Sequence, residues 1–451
     1  MYVAPSFDNV KDESIFEAIE MMLDDVHLTK TLRKIEDANR SAFGPRSIAK
    51  PWEDRKASLS AYFDKTEPDT GFGQHGRGFL RPISWDNAVQ RLIPSSSAGL
   101  PYMLPKRSIK GVVADHGEEN VGVWPCVLFT RTQEQGKTRN IWGYPVADTV
   151  AELQFFKPWL EFEQTLSFRA AIRGPGDVDR AITTMLYNKR SDEYVMCLDF
   201  SQYDASVEPR YSKDAFAYIA SQFQRSYEPQ VVEIFHRFIS MPIVTPDGVW
   251  EGFHGVPSGS AWTNTVDSLV QYQCAGQPAN CQIQGDDGVY VGTFEELRDI
   301  RDSLNSCGLT VNDDKTWLFS DEECVYLQRY YSPSYKSRVD RSVFGGVYSI
   351  YRAFLRLKYL ERWTDIEELE IPGKDYFSLR AIMILENCKH HPAFEDAVRF
   401  AYDLDAFNLA FDEKSVSKFQ SSIAPRIEAG ATPFAETGID SFETLKVLRS
   451  F

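Results

Sequence analysis

The sequence predicts an α+β protein: a small antiparallel sheet that carries acidic residues, surrounded by helices. Three observations lead there. Residues 280–291 alternate apolar and polar side chains on either side of Gln284-Gly285-Asp286-Asp287-Gly288, the pattern of two strands joined by a tight turn. Tyr194-Val195-Met196-Cys197-Leu198 is apolar throughout, so it reads as a strand buried on both faces, and it ends at Asp199. Helical spacing appears at Phe216, Ile219 and Phe223, at Val232, Ile234 and Phe238, and again over 294–304. With 451 residues, 43% of them hydrophobic, the chain can bury a large core and divides into two or three subdomains.

Composition narrows the classes. The net charge is −16, which argues against a protein coated with nucleic acid; RNA held in an internal channel needs only local basicity. The seven cysteines are scattered without a Cys-x-x-Cys pair, so we expect no zinc site, no disulfide framework and no disulfide-linked partner. No apolar run approaches a membrane span and no signal pattern opens the chain. The expectation is a soluble intracellular protein without membrane attachment.

In chain order, residues 1–60 read as mixed helix and loop. Their basic stretch (Lys30, Arg33, Lys34, Arg40, Arg46, Lys50, Arg55, Lys56) is either a solvated face or an RNA-facing one. Residues 65–82 read as loop. Around Ser97 and Gly99, small hydroxyl residues and glycine expose backbone N–H groups to which a phosphate backbone can come close. A second hairpin spans 123–142, with Arg131, Lys137 and Arg139 gathered on it. Alternation puts Lys137 and Arg139 on one face of the exit strand. Such cations suit a triphosphate or guard an edge strand; the residues alone leave both open.

Asp199 ends a buried strand, where a carboxylate is costly without a cation to meet. Asp204 follows beyond the turn, close enough to share the site or to cap the next helix, which starts near Pro209. The loop Gly255-Val256-Pro257-Ser258-Gly259 opens a helix on which Thr263 and Asp267 share a face. Ser258 stands at its mouth, poised for a sugar or base, or for N-capping. Lys315 sits in a loop beside two acids, Asp313 and Asp314, the ordinary setting of an ion pair. Residues 325–331 read as one more strand pair, and from about 350 the pattern is helical and locally acidic, including Glu367-Glu368-Leu369-Glu370.

Asp199 and the Asp286-Asp287 pair come from distant segments and meet only in a folded sheet. Three converging carboxylates repel unless divalent cations neutralise them, and hard oxygen ligands select Mg²⁺ or Mn²⁺. Two such ions about 3.5–4 Å apart serve phosphoryl transfer.

Taken in order, these segments resemble the viral RNA-dependent RNA polymerases over about residues 94–331. Asp199 and Asp204 match motif A of that family, Ser258-Gly259 with Thr263 motif B, and Gly285-Asp286-Asp287 motif C. Lys315 matches the motif D lysine, and Tyr326-Leu327-Gln328-Arg329 resembles motif E. Gln135-Gly136-Lys137-Thr138-Arg139 resembles motif F, and Ser97-Ala98-Gly99-Leu100-Pro101-Tyr102 motif G. The spelling around Ser258 and Asp267 is most similar to picobirnavirus and partitivirus polymerases, whose genomes are double-stranded RNA. Asp267 departs from the Asn that many members carry.

The resemblance implies a right-hand polymerase: fingers over 1–190 with an insertion at 209–250, palm over 191–208 and 251–331, and a helical thumb over 332–451. It implies template-directed NTP polymerisation with two Mg²⁺ or Mn²⁺ ions on Asp199, Asp286 and Asp287, and Lys315 as general acid. Arg131, Lys137 and Arg139 would clamp the triphosphate. Asp204, Ser258, Thr263 and Asp267 would read the ribose, and Ser97, Gly99, Gly259 and Arg329 would touch RNA. The partners implied are RNA template and product, NTPs and a viral capsid protein. The place is the host cytoplasm, with packaging in the virion. A reverse transcriptase shares the acidic palm, but the glycine before Asp286 and the Ser258-Gly259 loop count against it.

Overall fold

The structure, a computed structural model, describes residues 1–69, 71–73, 78–363, 366, 370–428 and 438–450. Part of the loop expected over 65–82 and Glu367-Glu368-Leu369 of the acidic run lie outside the described residues. Among those described, the strands in chain order are β1 (Cys126–Thr132), β2 (Thr138–Gly143), β3 (Glu193–Leu198), β4 (Ile243–Thr245), β5 (Gly248–Trp250) and β6 (Cys281–Gln284). There follow β7 (Asp287–Thr293), β8 (Trp317–Phe319), β9 (Cys324–Tyr326), β10 (Arg329–Tyr331) and β11 (Val347–Tyr348). They form three sheets, ordered β2-β1-β4-β5, β6-β7-β3-β8 and β11-β10-β9.

The β6-β7-β3-β8 sheet is antiparallel throughout and frames the rest. Side chains alternate along β3, and each face meets its own cluster. Met196 and Leu198 pack with Phe216, Ile219 and Val266, whereas Val195 and Cys197 pack with Ile182, Val289 and Tyr331. This double burial is what the uninterrupted apolar run anticipates. The helices Pro209–Gln222, Glu228–Ser240 and Thr263–Cys274 supply much of the first cluster. Behind β7 the chain turns directly into the helix Phe294–Ser306. Thr293 and Glu296 form a capping box there, which satisfies the first free amides and sets where strand gives way to helix. β9 and β10 are joined through Leu327 and Gln328, both at positive φ, as a two-residue hairpin turn requires.

One boundary differs from the expectation. The helix Asp12–Asp24 buries Ile15, Ile19, Met22 and Leu23 in one cluster with Phe354, Leu357 and Leu385 of the C-terminal helices, and Val3 bridges Tyr359. Residues 1–190 are therefore not one body. An amphipathic helix goes where an open apolar face exists, and here that face lies at the other end of the chain. Much of the basic stretch after it is paired within the protein. Arg33 and Arg40 meet Glu20, Arg46 meets Glu134 and Glu361, Lys56 meets Asp247, and Arg55 donates to Asn140.

Candidate active site

The register of β3 against β7 decides the geometry. Leu198 pairs with Gly288, so Asp199, one residue past the strand end, stands beside the Asp286-Asp287 turn. Within the β6–β7 hairpin Gln284 pairs with Asp287, leaving Gly285 and Asp286 as the two central residues. Gly285 has φ 66°, the first-position glycine of a type II′ turn. On the other side of β3, the Asn312 amide donates to the Asp199 carbonyl at 2.8 Å and the Ser201 amide to the Thr310 carbonyl at 2.9 Å. That alignment brings Lys315 in, with Nζ 3.7 Å from Asp199 Oδ2. Of the two neighbouring acids, Asp313 turns instead to Arg301.

The electrostatics follow from this crowding. The Asp287 carboxyl is pushed up to about 7, first by burial and then by Asp286 and Asp199, with Arg139 pulling it back. Asp199 Oδ2 is shielded from solvent and has no hydrogen-bond partner. Among the described residues no three His, Cys, Asp or Glu groups close to metal-binding spacing. An all-oxygen donor set, one orphaned oxygen and mutual repulsion fit a hard divalent cation such as Mg²⁺ or Mn²⁺.

The β1–β2 hairpin forms as expected, with Lys137 and Arg139 exposed while Asn140 faces inward. Partial burial, Arg139 and Lys315 hold the Lys137 ammonium below its ordinary value, whereas Asp199 and Asp286 act the other way. These two cations therefore face the acids. Arg131 does not join them. Its Nε donates to Glu361 Oε1 at 2.7 Å, which ties the hairpin to the C-terminal module. Arg131 and Arg139 are direct cross-strand partners and share a face of the hairpin. What separates them is Glu361, whose carboxylate takes Arg131 and whose carbonyl accepts from the neighbouring Thr132 Oγ1.

A second group gathers behind the acids. Ser258 Oγ donates to Asp204 Oδ2, so neither residue acts as the helix cap that the sequence left open. The helix starts only at Thr263. The Asp204 carboxyl is raised by burial, eased by Ser258, and raised further by Asp286. Asp267 is buried on the helix with Oδ1 unpartnered, and burial, Asp204 and Asp286 push its carboxyl well above the usual range. The single Thr263 hydroxyl proton is taken up by the carbonyls of Pro257 and Ser260, at 2.9 and 3.0 Å, so toward a sugar Thr263 is an acceptor only. Gly259 lies so close to β2 that a Cβ there would stand 1.9 Å from the Trp142 carbonyl oxygen. Only glycine admits that approach. The Trp142 amide donates to the Ser258 carbonyl at 3.0 Å, joining the basic hairpin to this loop.

Three more of the expected RNA-contact residues are Ser97, Gly99 and Arg329. The Ser97–Gly99 turn docks by backbone, Val146 N to Ala98 O at 2.8 Å, with Ser97 Oγ accepting from the Gly99 amide at 3.2 Å. Arg329 is a correction to the RNA-contact expectation. Its guanidinium donates to the carbonyls of Gly346 and Asn387 and to Asn387 Oδ1, and it lines a cavity of about 440 Å³ with Arg338, Glu386 and His390. Three internal acceptors leave it pinning β10 to the helix Gly373–Glu386.

Sequence reasoning missed several side chains at the site. Tyr62 lies against Ser258, Asp204 and Asp267 from a stretch without any motif, and its phenol is raised by burial and by Asp204. Glu152 accepts from Ser260 Oγ at 2.7 Å and from the Ala261 amide at 2.8 Å, holding the loop from below. Gln271 Nε2 donates to the Gly285 carbonyl at 3.1 Å. Gln271 lies one turn beyond Asp267 on the same helix, and that i, i+4 spacing was its only signal.

An antiparallel sheet with acids at its strand ends, faced by a basic hairpin and followed by a helical module, defines a right-hand polymerase. A family model for the viral RNA-dependent RNA polymerase matches residues 80–344, and the chain belongs to that family. It is an RNA-directed RNA polymerase, with RNA and NTPs as its substrates, in a family that uses divalent metal ions. The chain is 29% identical over 421 residues to a potential RNA-dependent RNA polymerase of human picobirnavirus, covering 84% of this chain and 77% of that relative. It is 26% identical over 211 residues to the RNA-directed RNA polymerase of Cryptosporidium parvum virus 1, covering 42% of this chain and 40% of the relative. The crystal structure of a human picobirnavirus RNA-dependent RNA polymerase superposes with a TM-score of 0.82 at 26% identity, covering 100% of this chain and 93% of that one. The Sicinivirus 3Dpol polymerase shares the fold at a TM-score of 0.57 and 15% identity, over 86% of this chain and 89% of that one. Among the described residues no helix is long and apolar enough to cross a membrane.

Proposed function

We propose that Asp199, Asp286 and Asp287 hold two divalent ions at which NTPs are added to RNA for genome replication and transcription. The observation that carries this is the Leu198–Gly288 register, which sets the three carboxylates at one end of the sheet with Lys315 Nζ 3.7 Å from Asp199. Bound there, such ions stabilise the attacking and leaving oxygens of an in-line displacement. Lys315 gives the proton on Nζ to the leaving pyrophosphate, with Asp199 as its resting partner. Lys137 and Arg139 bind the triphosphate, while Arg131 supports them by fastening their hairpin to Glu361.

Asp204 and Ser258, joined by their hydrogen bond, read the ribose hydroxyls, with Asp267 behind them. Thr263 keeps the Ser258-Gly259 loop in shape. Ser97, Gly99 and Gly259 line the RNA path through backbone amides. In this scheme 191–208 and 251–331 are palm, 209–250 is a fingers insertion, and 332–451 is thumb, joined by residues 1–24. A polymerase related to those of double-stranded RNA viruses works beside its capsid. We therefore place it in the host cytoplasm and the virion with the capsid protein as partner, an association that co-purification tests.

The decisive experiment is NTP incorporation on single-stranded RNA with Mg²⁺ or Mn²⁺, beside Asp286→Ala. Wild type is expected to make template-dependent product and the variant none. Incorporation that survives the substitution overturns the metal assignment.

A further inference from the structure

Beneath the Gly285-Asp286 turn lies a guanidinium that the scheme above does not use. Arg169 is 1% exposed. An arginine so far from water is costly unless its donors are met. Nε donates to Glu163 Oε1 at 2.9 Å, and Nη2 to Asn264 Oδ1 at 2.8 Å. Nη1 is shared among Ser268 Oγ at 2.5 Å, Gln284 Oε1 at 2.7 Å and the Ile283 carbonyl at 2.9 Å. Glu163, equally buried, also accepts from Trp159 Nε1 and Thr265 Oγ1, so the anion is settled as well.

The acceptors are the informative part. Asn264 and Ser268 belong to the helix that carries Asp267; Ile283 and Gln284 are the last two residues of β6 before the turn. Ser268 Oγ completes the link by accepting the Gly285 amide at 2.8 Å and donating to the Asn264 carbonyl at 2.6 Å. As a source of stability a buried Arg–Glu pair is weak, because apolar residues of similar volume serve about as well. What a planar fork adds is fixed geometry among its acceptors.

We infer that Arg169 is a positioning residue that sets the depth of the Gly285-Asp286 turn against the Thr263–Cys274 helix and so places the Asp286 carboxylate for metal binding. The inference rests on the assignment of Asp286 as a ligand.

The test compares Arg169→Lys, which keeps a charge beside Glu163 but loses the fork, with Ser268→Ala, which removes the link without touching charge. Mn²⁺ binding by calorimetry, kcat and KM for NTP, and thermal melting are measured for both, with Asp286→Ala as control. Both variants are expected to fold, with Mn²⁺ affinity and kcat lowered about 10- to 100-fold and KM for NTP within about twofold. Wild-type Mn²⁺ binding and turnover in both folded variants overturn the inference, as does a rise in KM at unchanged kcat. Should Arg169→Lys fail to fold, Ser268→Ala decides alone. If Asp286→Ala itself still polymerises, the metal assignment has failed; if it is inactive while both test variants equal wild type, only the positioning role falls.

Discussion

Two hairpins carry the residues of the proposed chemistry, and they are held in opposite ways. The acidic one, β6–β7, sits inside a sheet, with Cys281, Gln282 and Ile283 buried on one strand and Val289, Tyr290 and Val291 on the other. Its turn is held by buried side chains: the Gly285 amide by Ser268 and the Gly285 carbonyl by Gln271. The basic one, β1–β2, exposes Arg131, Lys137 and Arg139; the exposed Arg131–Glu361 ion pair fastens it, beside a buried Arg46 that bridges Glu134 and Glu361. Hydrogen bonds in a low-dielectric interior are directional and insensitive to salt; exposed ion pairs are neither. The difference matches the ligands proposed for each. Metal ligands must be placed to within about 0.5 Å, whereas a triphosphate is met by long cationic side chains that adjust.

The largest expected effect comes from prying the acidic hairpin off its support. At Gly288 an added Cβ would lie 2.0 Å from Gln271 Oε1, so Gly288→Ala must displace the amide that holds the Gly285 carbonyl and accepts from Tyr290. Incorporation should fall about 10- to 100-fold, the usual cost of a lost support behind metal ligands. The loss should be equal at low and high salt, measured as initial rates. Glu361→Ala tests the other hairpin. It frees Arg131 entirely and leaves Arg46 with Glu134. The rate should drop by less than about fivefold at low salt, and the gap from wild type should close as salt rises. A salt-independent loss as large as that of Gly288→Ala would erase the contrast.

The contrast also separates what the sequence discloses from what it hides. Asp199 stood out because a carboxylate at the end of an apolar strand is chemically odd wherever the strand goes. Asp286 and Asp287, ordinary turn residues by themselves, stood out through the segments that surround them. Lys137 and Arg139 were legible through strand alternation, which survives any tertiary arrangement. Their supports were not. Ser268 and Gln271 look like ordinary polar residues on a helix until that helix is docked under the hairpin, and Arg169 looks like one more surface cation. Arg131, upstream of the motif F stretch, and Arg329, within the motif E stretch, carried the right charge, yet only the Glu361 and Asn387 acceptors reveal that both are spent within the chain. Motif identity predicts neighbourhood, and hydrogen-bond partners decide the role. The β9–β10 pair was legible over 325–331 even though neither Leu327 nor Gln328 is the glycine or asparagine that positive φ favours.

Asp267 sharpens the comparison from the ribose side. Burial, Asp204 and Asp286 all disfavour its charge, with Arg169 alone opposing them. A carboxyl kept neutral donates one hydrogen bond, as the Asn of related polymerases does. Asp267→Asn should therefore keep NTP incorporation within about threefold of wild type near pH 7, less than 1 kcal/mol of barrier. A loss of about 100-fold would show that the negative charge itself is used. Steady-state rates with NTP and dNTP check both outcomes.

The smallest effect expected at neutral pH lies beneath the loop that joins the two regions. Glu152 is 4% exposed and its carboxyl is pushed from 4.5 up to about 8, by burial first, against the pull of Ser260 and the Ala261 amide. Between those two values the folded protein binds a proton that the unfolded chain has released. Stability therefore falls as pH rises through that window, by at most about 1.4 kcal/mol per pH unit from this group. Glu152→Gln reproduces the neutral form, with its carbonyl accepting from Ala261 and its amide donating to Ser260. It should leave incorporation near pH 7 almost unchanged and flatten the decline in melting temperature from pH 5 to pH 8. A variant that melts with the wild-type pH slope would mean that Glu152 is ionised in the fold, and that the Ser258-Gly259 loop rests on a charge rather than on a neutral hydrogen-bonding pair.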